Sequence, residues 1–374
     1  MRVGIITYNR VWNYGAALQC VALYNKLSEL GHDVYVVDYH PRYAQHTFVY
    51  QNPFIKAREG WTYNREGSLS KRVKGAVRWF CGGLLSYTTV NKRKVISSKF
   101  NQFVENNTKL TRKYHSEKMI KKNPPAMDVL VCGSDQIWNP IATRGVLDPV
   151  YYLQFGGKHI RRVAYAASAC KLIPEKFENE LKEYLSKFDF ISLRENDKVE
   201  ALSKILSKRI ETCIDPTLLY DDQFYRKHEI PVVGLENRKY ILTYFLGMSE
   251  MSTRKYVETY LELTNEDISS DTIIVDMSSE STGKNNIFLD EIGPGEFLWL
   301  ISHAEYVITN SFHAMVFSIL YHKNFLVLPR DNMNSRVVEL SERLGVQNKL
   351  ISSQVLENKN KEIMKISEEY KINY

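Results

Sequence analysis

The stretch Phe297–Leu328 reads FLWLISHAEYVITNSFHAMVFSILYHKNFLVL. Its spacing predicts a helix over Phe297–His303, a short strand over Tyr306–Thr309 and a polar turn at Asn310-Ser311, then a second helix from Phe312 and a second strand over Asn324–Leu328. Helices and strands in alternation build a parallel α/β layer. In open sheets of this kind, ligands bind beyond the carboxyl ends of the strands, beside helix N-termini that favour anions. Asn310, Ser311 and His313 fall where the first strand hands over to the second helix.

The same rhythm runs upstream. Val3–Thr7 reads as a strand, Ala16–Leu30 as a helix closed by Gly31, and Val34–Val37 as a strand ending in Asp38, which makes a βαβ unit. The loop inside it, TYNRVWNYGAA, is not GxGxxG; only Gly15 is present, so the dinucleotide signature is weak. Asn9, Asn13 and Gly15 either offer polar atoms to a ligand or form an ordinary capping loop. Met127–Cys132 is the next strand, followed by GSDQIWNP; Ser134 and Asp135 read as a strand-end site or as the N-cap of a short helix. Val163–Ala167 places Ser168 at its end, Phe177–Phe188 has helical spacing, and Phe190–Leu193 places Arg194 just past a strand. A guanidinium fork there matches phosphate or carboxylate, the alternative being a structural pair with Glu195 or Asp197.

The polar run 220–239 reads as a linker. A second series then begins: strand Tyr240–Phe245, helix Thr253–Leu263 and strand Thr272–Val275 ending in Asp276. After a Ser/Gly/Asn-rich loop over Ser278–Asn286, Glu296 lies in the first turn of the next helix, where a carboxylate suits the dipole. Arg336 precedes a helix over Val337–Leu344, and a charged, partly helical tail runs from Ser352. The expected fold class is α/β: a Rossmann-like domain over 1–219 with a basic helical insertion at about 41–115, and a second Rossmann-like domain over 240–374. Two such domains facing a cleft give the GT-B layout of many sugar transferases.

Composition narrows the class. With 374 residues, 44% hydrophobic and 12% aromatic, the chain can bury two or three cores. Its five Cys form no CxxC pair, which points away from a zinc site or disulfide framework and towards a reducing cytosol. The opening MRVGIITYN lacks the apolar run of a signal peptide, and no window reaches the roughly 18 apolar residues of a span. The expected location is cytoplasmic. The net charge of +7 is local: Lys56 to Lys99 hold eleven Lys/Arg and two acids, a net +9, which leaves the rest near −2. That argues against a general nucleic-acid binder. Within this segment Ala76–Val90 is apolar, flanked by Lys71, Arg72, Lys74 and by Lys92, Arg93, Lys94. Residues 71–94 therefore read either as a peripheral contact with anionic lipid at the inner face of a membrane, or as a hairpin with solvated charges and a helix interrupted at Gly82-Gly83.

Taken together, GSDQIWNP, the SLRE of Ser192–Glu195, the Asn/Gly loop after the first strand and the SFH of Ser311–His313 resemble the polysaccharide pyruvyl transferase family. The likeness covers nearly the whole chain and is densest over 1–40, 128–217 and 293–346. It implies transfer of a pyruvyl group from phosphoenolpyruvate to a sugar of a cell-surface polysaccharide or exopolysaccharide (capsule) precursor, nucleotide- or lipid-linked, as a ketal. It also implies that Arg194 contacts substrate. Many relatives carry Arg-Leu-His where this chain has Ser311-Phe312-His313. The resemblance thus carries His313 across without the adjacent Arg, whose contact Arg336 or Lys323 would have to replace.

Such a reaction needs cations for a carboxylate and a phosphate, an acid for C3 and a base for the attacking hydroxyl. His313 suits the acid or the anion contact; Arg194 and Arg336 supply fixed charge; Glu296, Asp135 and Asp276 are candidate bases. Asn310, Ser311, Asn13, Gly15, Ser134 and Ser168 are the further substrate-binding candidates. No metal-ligand cluster is visible, so no metal or other cofactor is expected beyond phosphoenolpyruvate as co-substrate. Two other readings stand beside this one. In a GT-B glycosyltransferase using a nucleotide sugar, Glu296 would bind ribose. A non-catalytic scaffold of a polysaccharide assembly complex would have no need of polar residues at several strand ends.

Overall fold

The structure is a computed structural model. It describes residues 1–41, 52–63, 68–140, 142–143, 145–168, 175–246, 272–277, 286–328 and 335–350. The expected helix at Thr253–Leu263, nearly all of the loop Ser278–Asn286 and the tail from Ser352 lie outside them.

The chain divides into two compact units, one of 1–194 with 198–219, the other of 195–197 with 220–374. The first is built on six parallel strands: β1 (Arg2–Ile6), β2 (Asp33–Val36), β3 (Val129–Cys132), β4 (Arg161–Ala167), β5 (Phe190–Leu193) and β6 (Glu211–Thr212), in the order β2-β1-β3-β4-β5-β6. The central β3, VLVC, is buried at every position. A parallel strand covered on both faces needs such a continuous apolar run rather than alternation. Helix α1 (Tyr14–Glu29) buries Ala16, Ala17, Leu18, Cys20 and Val21 within its first half. It ends at Gly31, whose φ of +83° is the left-handed conformation that glycine adopts without strain.

Between β2 and β3 the chain makes a helical excursion: α2 (Pro53–Tyr63), α3 (Leu69–Leu85), α4 (Val90–Asn107) and α5 (Glu117–Lys122). Phe100, Phe103 and Val104 anchor α4 in the core, with Phe100 against Tyr14 of α1 at 5.3 Å. Gly82 and Gly83 do not interrupt a helix, contrary to the sequence expectation; α3 continues through both to Leu85. Gly83 lies where α3 crosses α2, and a β-carbon there would stand 2.7 Å from Pro53 Cα.

After β4 come α6 (Glu178–Ser186) and α7 (Asn196–Leu206). The run 220–239 is not a bare linker. It forms α8 (Asp222–Arg226), and buried Tyr225 packs edge-on against Phe317 of the second unit at 4.8 Å. That unit holds β7 (Tyr240–Tyr244), β8 (Ile273–Asp276), β9 (Asn286–Phe288), β10 (Tyr306–Thr309) and β11 (Asn324–Val327) in the parallel order β11-β10-β7-β8-β9. Its helices are α9 (Pro294–His303), α10 (Phe312–Leu320) and α11 (Ser335–Leu344). Buried residues run unbroken from Pro294 to Ser302 and from Phe312 to Ser318, so α9 and α10 sit inside the unit rather than along its surface. No helix among the described residues is long and apolar enough to cross a membrane.

His40, just beyond β2, is held neutral. Burial, followed by Lys113 and Arg10, lowers its pKa from the ordinary 6.5 to about 4. The folded state therefore binds fewer protons than the unfolded chain between these values. This contribution to stability is complete above pH 6.5 and is lost as pH falls towards 4. Urea midpoints should fall more steeply with acidification in the wild type than in His40→Gln; equal slopes would rule this out.

Candidate functional site

Because every strand in both sheets runs parallel, the carboxyl ends of each sheet share one edge, and the candidates collect there. In the first unit, Ser134 and Asp135 follow β3, Ser168 follows β4, Arg194 follows β5, and Asp215 lies three residues past β6. All five are buried. Asp215 is the hub. Its Oδ2 accepts from Ser134 Oγ at 3.0 Å and pairs with Arg194 Nη1, while its Oδ1 accepts from Thr217 N at 3.0 Å and Thr217 Oγ1 at 2.7 Å. A carboxylate on a neighbouring strand end, Asp215, thus pairs with Arg194. Asp215 is the residue that sequence reading missed here. The signal available was an acid after a short strand in a sheet whose adjacent strand ends in Arg.

Asp135 adopts φ of +72°, a left-handed conformation that an aspartate tolerates better than most residues. No helix follows it; the chain turns at 134–138, so Ser134 and Asp135 are not helix caps. Asp135 O accepts from Ser168 N at 3.1 Å, and Ser168 O from Trp138 N at 3.3 Å, which clamps the β3 and β4 ends together. Trp138 anchors this turn, stacked on Tyr152 with ring centres 5.4 Å apart and donating to Tyr151 O. Burial, then Asp135 and Asp148, raise the Tyr8 phenol far above its ordinary range, so it remains a donor, bonded to Gln136 O at 3.4 Å.

In the β1–α1 loop, Asn13 caps the helix, its Oδ1 accepting from Ala16 N at 3.0 Å, and Gly15 is buried in the first turn. The residue missed there is Arg10. Its fork holds Asp38 through Nε at 3.0 Å and Nη2 at 2.7 Å, and Nη1 reaches Glu105. Asn9 Nδ2 joins Asp38 at 3.4 Å. A bidentate pair this committed ties β2 to the loop and to α4.

The second unit carries its own set. Ser311 is the N-cap of α10, and its Oγ accepts from Ala314 N; His313 is buried in the first turn. Asn310 is occupied differently from expectation. Its Oδ1 accepts from Leu246 N at 2.7 Å and its Nδ2 donates to Leu246 O at 3.1 Å, pinning the β10 end to the β7 end. Glu296 Oε2 accepts from Gly293 N at 3.1 Å and closes the start of α9. Asp276 ends β8, buried at the same edge.

Arg336 stands beside the Ser-Phe-His turn. Its guanidinium lies 5.7 Å from the Phe312 ring centre, and that ring meets the His313 ring edge-on at 5.2 Å. Arg336 Nε lies 3.8 Å from Glu195 Oε1. Lys323 cannot join this group: it precedes β11, at the amino edge of the sheet, a full helix length from Ser311. Among the described residues no cluster of three or more His, Cys, Asp or Glu could hold a metal ion. His303 stacks on Trp299 at 4.4 Å and bonds Trp299 O through Nδ1, a helix-end role apart from the site.

A family model described as polysaccharide pyruvyl transferase matches residues 13–332. No curated protein matches the chain. Among solved structures, the chain is similar to a UDP-GlcNAc 2-epimerase from Neisseria meningitidis bound to UDP-GlcNAc (13% identity, 99% of this chain and 93% of that one, TM-score 0.45). It is also similar to S. aureus MnaA with UDP (11%, 97% and 87%, 0.49) and to a UDP-GlcNAc 2-epimerase from Methanocaldococcus jannaschii (12%, 94% and 88%, 0.45). Nothing further is drawn from likenesses this distant.

Removing the Asp215 carboxylate strands a buried guanidinium. Asp215→Ala should cost about 3–5 kcal/mol in urea unfolding, and adding Arg194→Met should restore part of it. Strictly additive losses would show that the two side chains are not coupled.

Proposed function

The chain belongs to the polysaccharide pyruvyl transferase family, and from that premise we propose that it moves a pyruvyl group from phosphoenolpyruvate onto a sugar of a cell-surface polysaccharide or exopolysaccharide precursor. The family match over 13–332 carries the reading; the donor is what the family resemblance implies, and polar residues at the strand ends suit its two anions.

Phosphoenolpyruvate brings two anions. Each unit offers one candidate anion contact: in the first, Arg194, fixed by Asp215; in the second, the start of α10, where Ser311 and the helix dipole favour negative charge. Arg336 takes the place of the arginine that relatives carry beside the histidine, reaching the turn from α11 instead of from the motif itself. His313 acts as the acid. It gives its proton to C3 while a sugar hydroxyl adds at C2 and yields its proton to a base. The second hydroxyl then displaces phosphate from C2, closing the ketal. One enol phosphate and two hydroxyls become a ketal and inorganic phosphate, with no oxidant or reductant.

The candidate bases differ in surroundings. Glu296 is engaged at Gly293 N, where it closes the start of α9. Asp135 follows β3 and Asp276 ends β8, each at the carboxyl edge of its own sheet. Asn310, Asn13 and Ser311 hold backbone in position, so their proposed part is to shape the site rather than to grip the ligand.

Phosphoenolpyruvate at about 100 times its dissociation constant should stabilise the protein by ~2.7 kcal/mol. His313→Gln and Arg194→Lys, which keep size and charge respectively, should reduce that shift. With a sugar acceptor present, the wild type should release inorganic phosphate from phosphoenolpyruvate. Stabilisation by UDP or a UDP-sugar, without any effect of phosphoenolpyruvate, would replace this reading by a nucleotide-sugar transferase.

A further inference from the structure

We infer that the α2–α3 hairpin is a docking surface for an anionic lipid membrane. The inference stands apart from the donor chemistry. It rests on how α3 divides its faces.

One face of α3 is spent on α2. The two helices run antiparallel and cross so closely that a β-carbon on Gly60 would stand 2.6 Å from Gly75 O. The two tryptophans are committed to this contact: Arg72 stacks on Trp61 at 4.2 Å, and Lys56 lies over Trp79 at 5.3 Å. The only buried residue of α3 is Gly83, so the rest of the helix stands clear of the core.

A second face has no such cover. Leu69, Val73, Val77 and Leu84 follow at intervals of four, four and seven, one stripe on a helix of 3.6 residues per turn. They are 68%, 46%, 56% and 51% exposed. Phe54 of α2, 74% exposed, meets Phe80 edge-on at 5.4 Å and widens the stripe at one end. Lys74 and Arg78 each follow a stripe residue by one position and so line the same flank, both exposed. From Ser68 to Val104 the chain holds eight Lys/Arg and no Asp or Glu. An apolar ridge with a one-sided basic border is what lies in a headgroup layer, aliphatic side chains dipping below the charges.

Charge selects this occupant. A second copy would bring the same positive ridge against itself, which like-charge repulsion opposes. A nucleic acid stacks successive bases on aromatic faces, and the stripe offers four aliphatic side chains with Phe54 at one end, while Trp61 and Trp79 pair with cations inside the hairpin.

The test is co-sedimentation of the full chain with vesicles, needing neither donor nor acceptor, so its failure says nothing of pyruvyl transfer. Vesicles of phosphatidylcholine with phosphatidylglycerol should carry the protein down, and phosphatidylcholine alone should not. The double variant Val73→Asp/Val77→Asp should lower partitioning at least about tenfold. Lys74→Glu/Arg78→Glu should lower it and flatten its salt dependence. All four positions are solvent-exposed, and unchanged circular dichroism verifies the fold. Equal binding to neutral vesicles, no binding to either, or variants that sediment like the wild type would overturn the proposal. So would light scattering that shows a dimer dissolved by Val73→Asp/Val77→Asp, which assigns the ridge to a second copy.

Discussion

Four hydrogen-bond donors converge on the buried carboxylate of Asp215, from Ser134, Arg194 and twice from Thr217. Taking an arginine and an aspartate out of water together is costly, and only near-complete satisfaction of the acid by such donors offsets the loss of hydration. The arrangement joins the ends of β3 and β5 with the segment after β6. It also decides the direction in which Arg194 can point. A fork with one nitrogen held by Asp215 is preorganised, so a ligand anion would not have to order it. The arginine is therefore not a loose charge at a loop tip. It is part of the packing of the first unit, and the unit cannot relax without moving it.

Parallel strands make such convergence possible. A sheet covered on both faces accepts apolar residues along its length, as VLVC in β3 and YVIT in β10 show. Polar groups are displaced to the strand ends, and in a parallel sheet the carboxyl ends all emerge on one edge. The two units solve the same problem with different chemistry. The first pins its edge with a charged network centred on Asp215. The second does so with an amide, Asn310 bonded twice to Leu246, and with helix starts capped by Ser311 and Glu296.

Much of this was legible because long apolar runs admit few readings. β5 and β10 lie where the sequence places them, and α1 and α9 differ from expectation only by a turn or less at their ends. The two- and three-residue strands β6 and β9 carry no period at all, so nothing in Glu211-Thr212 or Asn286–Phe288 could announce them. At the site, strand-end logic located the residues but not their partners. Arg194 was read against its neighbours in sequence, while its partner comes from the next strand end of the sheet. Asn310 was read as facing a ligand, and Asn13 as facing a ligand or capping the loop; both are bonded to backbone, because short amides at strand and helix ends meet unsatisfied backbone groups as the nearest demand. Lys323 failed for a simpler reason: adjacency in sequence to β11 puts it at the wrong edge.

The same reasoning explains why the basic hairpin can exist without disturbing the sheet. It leaves from β2, an edge strand, and the chain returns through α4 and the bridges Val36–Leu110 and Tyr39–Tyr114 before β3 begins. Those bridges and the buried Phe100, Phe103 and Val104 hold the base of the excursion in the core. The hairpin beyond that base is free to follow other constraints. Its two helices pack through glycines, which lets a narrow contact suffice and leaves the outer face of α3 unused. An outer face that served solubility alone would carry polar residues, since each large aliphatic side chain gains roughly 1.5–3 kcal/mol only when it leaves water. The outer face of α3 instead places Leu and Val at one angular position and bases beside them, the pattern that a layer of anionic lipid would match.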